Sequence, residues 1–173
     1  REDMKKTILI AWLIALPALL IASDFVSLFM ERCAEEKRPL NNVNIGETML
    51  ETMAENTIDE ELKETFRKLN SIRIINSDNK RDSRHYYRKA DELIRDSFAD
   101  YREVVTVNEE DTRVSVWMKE ISDKEQDLIL LSLDNEGKFT VITVNGEIDL
   151  NSISRLSGTL KNEPELLKNN ETE

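Results

Sequence analysis

The chain has 173 residues, 39% apolar and 34% charged, with 4 Gly and 3 Pro; this is the balance of one ordinary folded domain and excludes fibrous and disordered classes. A formal net charge of -11 excludes the basic footprint of nucleic-acid binders and of proteins drawn to anionic lipid. One cysteine, Cys33, excludes an intrachain disulfide and any multi-cysteine metal site.

Met4-Lys5-Lys6 followed by the apolar run Ile8 to Ala22 has the charged and apolar regions of a secretory signal over residues 1–23, with Met4 as the start. The run is shorter than the roughly 18 residues of a spanning helix, and Pro17 interrupts it. The expectation is export with no integral span after cleavage. Retention as an anchor is the alternative, because cleavage after Ala22 or Ser23 leaves bulky Leu20 or Ile21 at the third position back.

Phe25, Leu28, Phe29 and Cys33 then fall at helical spacing behind Asp24, which predicts a capped amphipathic helix to about Glu36 with Cys33 on its apolar face. A small buried side chain and a reactive thiol are the two readings of Cys33. Lys37-Arg38-Pro39 ends the helix, and Val43-Asn44-Ile45 is at most a short extended piece. Met49, Leu50 and Met53 share one helical face; core filling explains them more simply than a methionine groove for a partner. Thr57-Ile58-Asp59-Glu60 has the form of a capping box for a second helix bearing Leu62, Phe66 and Leu69. Ser71 to Ile75 is β-branched and predicts a strand.

Asp82 or Ser83 is the predicted cap of the longest helix, whose stripe of Tyr86, Ala90, Leu93, Ile94, Phe98 and Tyr101 would cover a sheet. Its start carries the one local basic patch, Arg84, His85, Tyr87 and Arg88 among them; it suits an acidic partner or, more simply, a solvated face balanced by Asp82, Asp91 and Glu92. His85, the only histidine, has no second histidine for a metal and no adjacent nucleophile.

Four strands in meander order follow: Glu103 to Val107, Arg113 to Glu120, Asp127 to Leu133 and Lys138 to Val144. Trp117, Leu128 and Leu130 lie off the main apolar alternation. They predict a second sheet face covered by the N-terminal helices or by another chain, possible homo-oligomers included. The acidic loops at Asn108 to Asp111 and Asp134 to Gly137 lack the spacing of a calcium loop and read as turns. Asn145-Gly146 is a predicted turn, and Asp149 a cap for a helix over Leu150 to Leu160 with Leu150, Ile153, Leu156 and Leu160 inward. Residues 162–173 read as a polar tail.

The fold class is therefore α+β: an antiparallel meander sheet of four to five strands against several helices, with a C-terminal helix after the last hairpin, all in one domain over 24–161. No glycine-rich phosphate loop, Gly-x-Ser-x-Gly elbow or paired nucleophile and base is present, and no cofactor or metal is implied.

The order of these pieces resembles the family named domain of unknown function 4252. The residues that carry the likeness are the export signal, the Phe25 to Arg32 helix, Val43-Asn44-Ile45 before Met49-Leu50 and Met53, Ser71 to Ile75, and Val144-Asn145-Gly146-Glu147-Ile148-Asp149-Leu150 leading to Ile153 and Leu156. The resemblance implies a small envelope protein of a Gram-negative bacterium, in the periplasm or cell envelope, in a family sometimes encoded near sigma-factor regulators and without an established activity. Members often carry a lipoprotein cysteine and a serine where Gly46 stands. This chain has neither, and with no cysteine directly after the apolar run the lipid tether of those members is not expected here. Three functions follow as expectations: a non-enzymatic module that binds an unknown protein or envelope ligand through the sheet face or an edge strand, a regulatory partner of an envelope-signalling system, and a carboxylate-based hydrolase. Trp117, Leu128, Leu130, Arg84, His85, Tyr87 and Arg88 form the expected partner surface.

Overall fold

The computed structural model describes residues 24–38, 40–77 and 79–149. The predicted signal over 1–23, the helix from Leu150 and the tail over 162–173 lie outside the described residues.

Asp24 caps α1 (Phe25–Glu35), its carboxylate accepting from the Ser27 amide at 2.9 Å, and Phe25, Val26, Phe29 and Cys33 turn inward. The chain then forms β1 (Asn41–Gly46), α2 (Glu47–Asn56), α3 (Glu60–Lys68) and β2 (Leu69–Ser77). Next come α4 (Lys80–Ser97) and the meander β3 (Arg102–Asn108), β4 (Arg113–Glu120), β5 (Gln126–Leu133) and β6 (Phe139–Gly146). The sheet has six strands in the order β1-β2-β6-β5-β4-β3, every neighbouring pair antiparallel. The expected count of four to five falls short because Val43-Asn44-Ile45 belongs to a full strand: only Ile45 of β1 is buried, so the apolar pattern that marks a strand is missing there.

This strand order places β2 and β3 in the same direction four positions apart, so a crossover must join them. The 18 residues of α4 make it about 27 Å long, enough for the roughly 19 Å across four strand spacings. It packs over β5 and β6 with α1 beside it, burying Tyr86, Ala90, Leu93 and Ile94 against Ile75, Val141, Leu131 and Phe139. The α2–α3 pair joins β1 to β2 across the opposite face, and Leu50, Ala54 and Phe66 bury against Ile45, Ile72 and Val144. The result is a sheet with an apolar core on each face.

Two caps differ from expectation. Thr57 closes α2 through its amide, which donates to Met53 at 3.1 Å, while Asp59 caps α3 by accepting from the Glu61 and Leu62 amides at 3.0 and 3.1 Å. Asn79, rather than Asp82 or Ser83, caps α4. Asp82 is turned instead to Arg38 and to the Asn79 side chain. Asp59→Ala is expected to lower the unfolding free energy by about 1 kcal/mol in a urea titration, and Thr57→Ala by clearly less, since the Thr57 side chain makes no cap bond. Asn145-Gly146 is also not a turn: both residues lie in β6, opposite Ser71 and Leu69 of β2.

Candidate interaction surface

β3 pairs only with β4 among the described residues, and all seven of its residues are exposed. Residues paired across an antiparallel ladder share a face. Val105 stands opposite Val116 and Val107 opposite Val114, which puts both valines on the α2–α3 face of the sheet. They are 44% and 39% exposed, and Val104, at a register shift between Glu103 and Val105, is 44% exposed. Natural edge strands are blunted by charges and bulges. The first half of β3 has both: Arg102 reaches Glu120 at 2.7 Å, Glu103 reaches Arg95 at 3.2 Å, and the bulge follows. The second half, Val105-Thr106-Val107-Asn108, has neither, and an acidic turn of Glu109, Glu110 and Asp111 adjoins it.

Next to these valines, Val114, Val116, Met118 and Leu130 form an apolar shelf on the same face. Below the shelf, at the β4–β5 turn, lies an open depression of about 590 Å³ lined by Met118, Ile121 and Gln126 with polar neighbours.

The expected partner residues do not come together. Trp117 is opposite Ile129 in the register, so it faces α4, where it is buried under the Arg95 guanidinium at 4.6 Å. Leu128 and Leu130 are opposite Met118 and Val116 and face the other way. Leu128 is wholly buried, and only half-buried Leu130 belongs to the shelf. Alternation within a strand gives the parity of a residue; only the pairing register says which residues of the next strand share its face.

Nor is the basic start of α4 a free patch. Glu36 lies among Arg38, His85 and Lys89, and Arg38 also pairs with Asp82. His85 Nε2–H donates to the Glu36 carboxylate at 2.8 Å, which a neutral imidazole can do. Partial burial, with Arg38 and Arg88 nearby, lowers the His85 pKa from its ordinary value. Tyr87 is buried, its hydroxyl 2.6 Å from Ser115 Oγ. Arg84 and Arg88 stay exposed, 3.8 Å from Asp111 and 3.9 Å from Glu92.

At one end of the sheet a polar chain runs from Asn70 to Asn145 at 2.9 Å, on to Asp127, and from Asp127 to the Tyr101 hydroxyl at 3.4 Å. Burial and the Asp127 charge push the Tyr101 pKa up, so its hydroxyl stays a donor. This chain of bonds ties β2, β6, β5 and the segment after α4 together. No group of three or more His, Cys, Asp or Glu among the described residues could hold a metal ion. Burial pushes the Cys33 thiol up to about 11, which suppresses the thiolate at neutral pH. Ellman's reagent is therefore expected to leave the native thiol largely unmodified and to titrate one thiol per chain after denaturation.

A family profile described as Domain of unknown function (DUF4252) matches residues 35–156, which runs from the end of α1 through all six strands. The chain belongs to the DUF4252 family. Neither the curated proteins nor the solved structures contain a match to it. The DUF4252 match thus covers the β3 edge and the shelf, and it continues past the end of β6 at Gly146. No helix among the described residues of this DUF4252 chain is long and apolar enough to cross a membrane.

Proposed function

We propose that this DUF4252 protein is a non-catalytic binding module exported to the bacterial cell envelope, and that it takes an extended segment of a protein partner along the outer edge of β3. The observation that carries this reading is the uncharged half of β3, whose Val105 and Val107 side chains stand exposed on an edge with no neighbouring strand among the described residues. Such an edge offers unpaired main-chain donors and acceptors for affinity, and its alternating side chains supply specificity. The acidic turn beyond Asn108 favours a partner segment that ends in basic residues. Export is supported by the charged and apolar regions of residues 4–22. The reading as a regulatory partner of an envelope-signalling system differs in which protein is bound, not in the surface used.

Crosslinking with affinity capture from native envelope, with mass spectrometry of the captured proteins, tests the proposal. Val105→Lys with Val107→Lys adds charge to exposed positions, so folding should survive. The wild-type partners should be lost from this variant and kept by Arg84→Ala with Arg88→Ala. Equal recovery with both variants would overturn β3 as the docking edge.

A further inference from the structure

The uncharged half of β3 is complementary to itself. The Glu109 amide donates to the Thr112 carbonyl at 2.9 Å, so Glu109 and Thr112 form a hydrogen-bonded pair that closes the β3–β4 turn. Such pairs alternate along an antiparallel ladder, and the register carries the alternation to Val107 with Val114 and to Val105 with Val116. Thr106 and Asn108 therefore turn their main-chain donors and acceptors outward. Thr106 is the middle residue of the uncharged run 104–108, which the bulge bounds at one end and the acidic turn at the other.

We propose that in the free protein the occupant of this edge is β3 of a second copy, paired antiparallel about a two-fold axis at Thr106; the proposal rests on the reading of β3 as a docking edge. In that register Val105 stands opposite the second copy's Val107, and Val107 opposite its Val105. Four valines then form one row on the α2–α3 face, continuous with Val114 and Val116 of each copy. On the other face Thr106 meets its own counterpart, a favourable cross-strand pair. Antiparallel pairing sets the two Glu109 residues six positions apart along the ladder, about 20 Å, well beyond a screening length of about 8 Å. A parallel pair would put the acidic turns side by side. The same register brings Arg102, four residues before the axis, to Glu110 of the second copy, four residues after it. Glu103, which would meet the second copy's Glu109, is held by Arg95 at 3.2 Å. The opposite edge offers no such match, since Asn41, Asn42 and Asn44 flank a lone exposed valine, Val43. A second copy covers main-chain groups that a partner segment needs, so the two occupants exclude each other.

Sedimentation velocity of the full chain over a range of concentrations tests the pairing. A ladder this short is a small interface of the transient class, so a monomer–dimer equilibrium with a dissociation constant of roughly ten to a few hundred micromolar is expected. Val105→Lys with Val107→Lys sets lysines opposite each other twice and should raise that constant by at least about tenfold. Thr106→Pro, which removes a donor that β4 does not use, should do the same while circular dichroism stays that of the parent. Thr106→Cys places a thiol at the axis and should give a disulfide-linked dimer under mild oxidation, whereas the parent, with its buried Cys33, should not. A chain that stays monomeric throughout would overturn the second copy as occupant. A dimer that survives both edge variants would place the contact elsewhere, and growth beyond dimers would indicate β3 pairing with β1 of the next copy; each overturns the proposal. Envelope capture scores the docking edge separately: a monomeric protein whose captured partners are still lost with the lysine variant defeats the self-pairing and leaves the docking edge standing.

Discussion

Gly146→Ala is expected to lower the unfolding free energy by about 2–4 kcal/mol, the sum of a backbone term and a steric term. Gly146 has φ +143°, a conformation that side chains of L residues rarely adopt. A Cβ added there would meet the Lys68 carbonyl oxygen at 2.6 Å and the Leu69 Cα at 2.7 Å. Both are backbone atoms at the junction of α3 and β2, where the β2–β6 register shifts between Leu69 and Ser71, and the Lys68 oxygen already accepts the Glu147 amide. Relief would need the two strands to separate at that end. The other described glycines are the controls. At Gly137, φ +79°, an added Cβ finds only the Lys80 side chain at 3.5 Å, so Gly137→Ala should cost about 1 kcal/mol from its backbone alone. Gly46 has φ -90° and open space, so Gly46→Ala should be neutral or slightly stabilising. Urea titrations followed by circular dichroism give the order; a Gly146 variant as stable as the Gly46 variant would show that β2 and β6 do not approach as described.

Phe139→Ala should cost more, about 3–5 kcal/mol, because it removes a fully buried ring and leaves a cavity. Phe139 opens β6, and its ring lies 5.9 Å from Phe29 of α1 and 5.6 Å from Tyr86 of α4. It is thus a side chain at which both helices of that face meet the sheet. For a chain of this length the loss amounts to roughly 6–20 °C in Tm, a large part of a typical total stability of about 5–15 kcal/mol. Ile58→Ala, at a residue 98% exposed, should leave Tm unchanged. A Tm for Phe139→Ala within a degree or two of the parent would mean that α1 and α4 are held by other contacts.

Much of the fold was legible because local chemistry determined it. The meander from β3 to β6, the Asp24 cap and the amphipathic stripe of α4 each show a period or a cap within a few residues of sequence. The α3 cap was missed by two residues, since Thr57-Ile58-Asp59-Glu60 fits a capping box on paper while the Asp59 carboxylate reaches two amides in the fold. β1 was missed as a ladder partner because three of its six residues are asparagine and its pairing with β2 is what makes it a strand. The candidate surface was less legible. Leu130 alone, of the residues expected to meet a partner, belongs to the shelf, and the valines of β3 gave no signal in the sequence beyond their strand propensity.

By itself, then, the sequence determined an acidic α+β chain with one cysteine, a charged and then apolar stretch at its start and a four-strand meander, because composition and short-range periodicity are local properties. Only the tertiary structure decided that β1 and β2 extend the sheet to six strands, that Trp117 and Leu130 face opposite ways, and that β3 is left as an edge. Those outcomes depend on register and strand order, which are set by contacts between residues far apart in the chain; Gly146, closed against Lys68 and Leu69, is where that long-range fit leaves no room for a side chain.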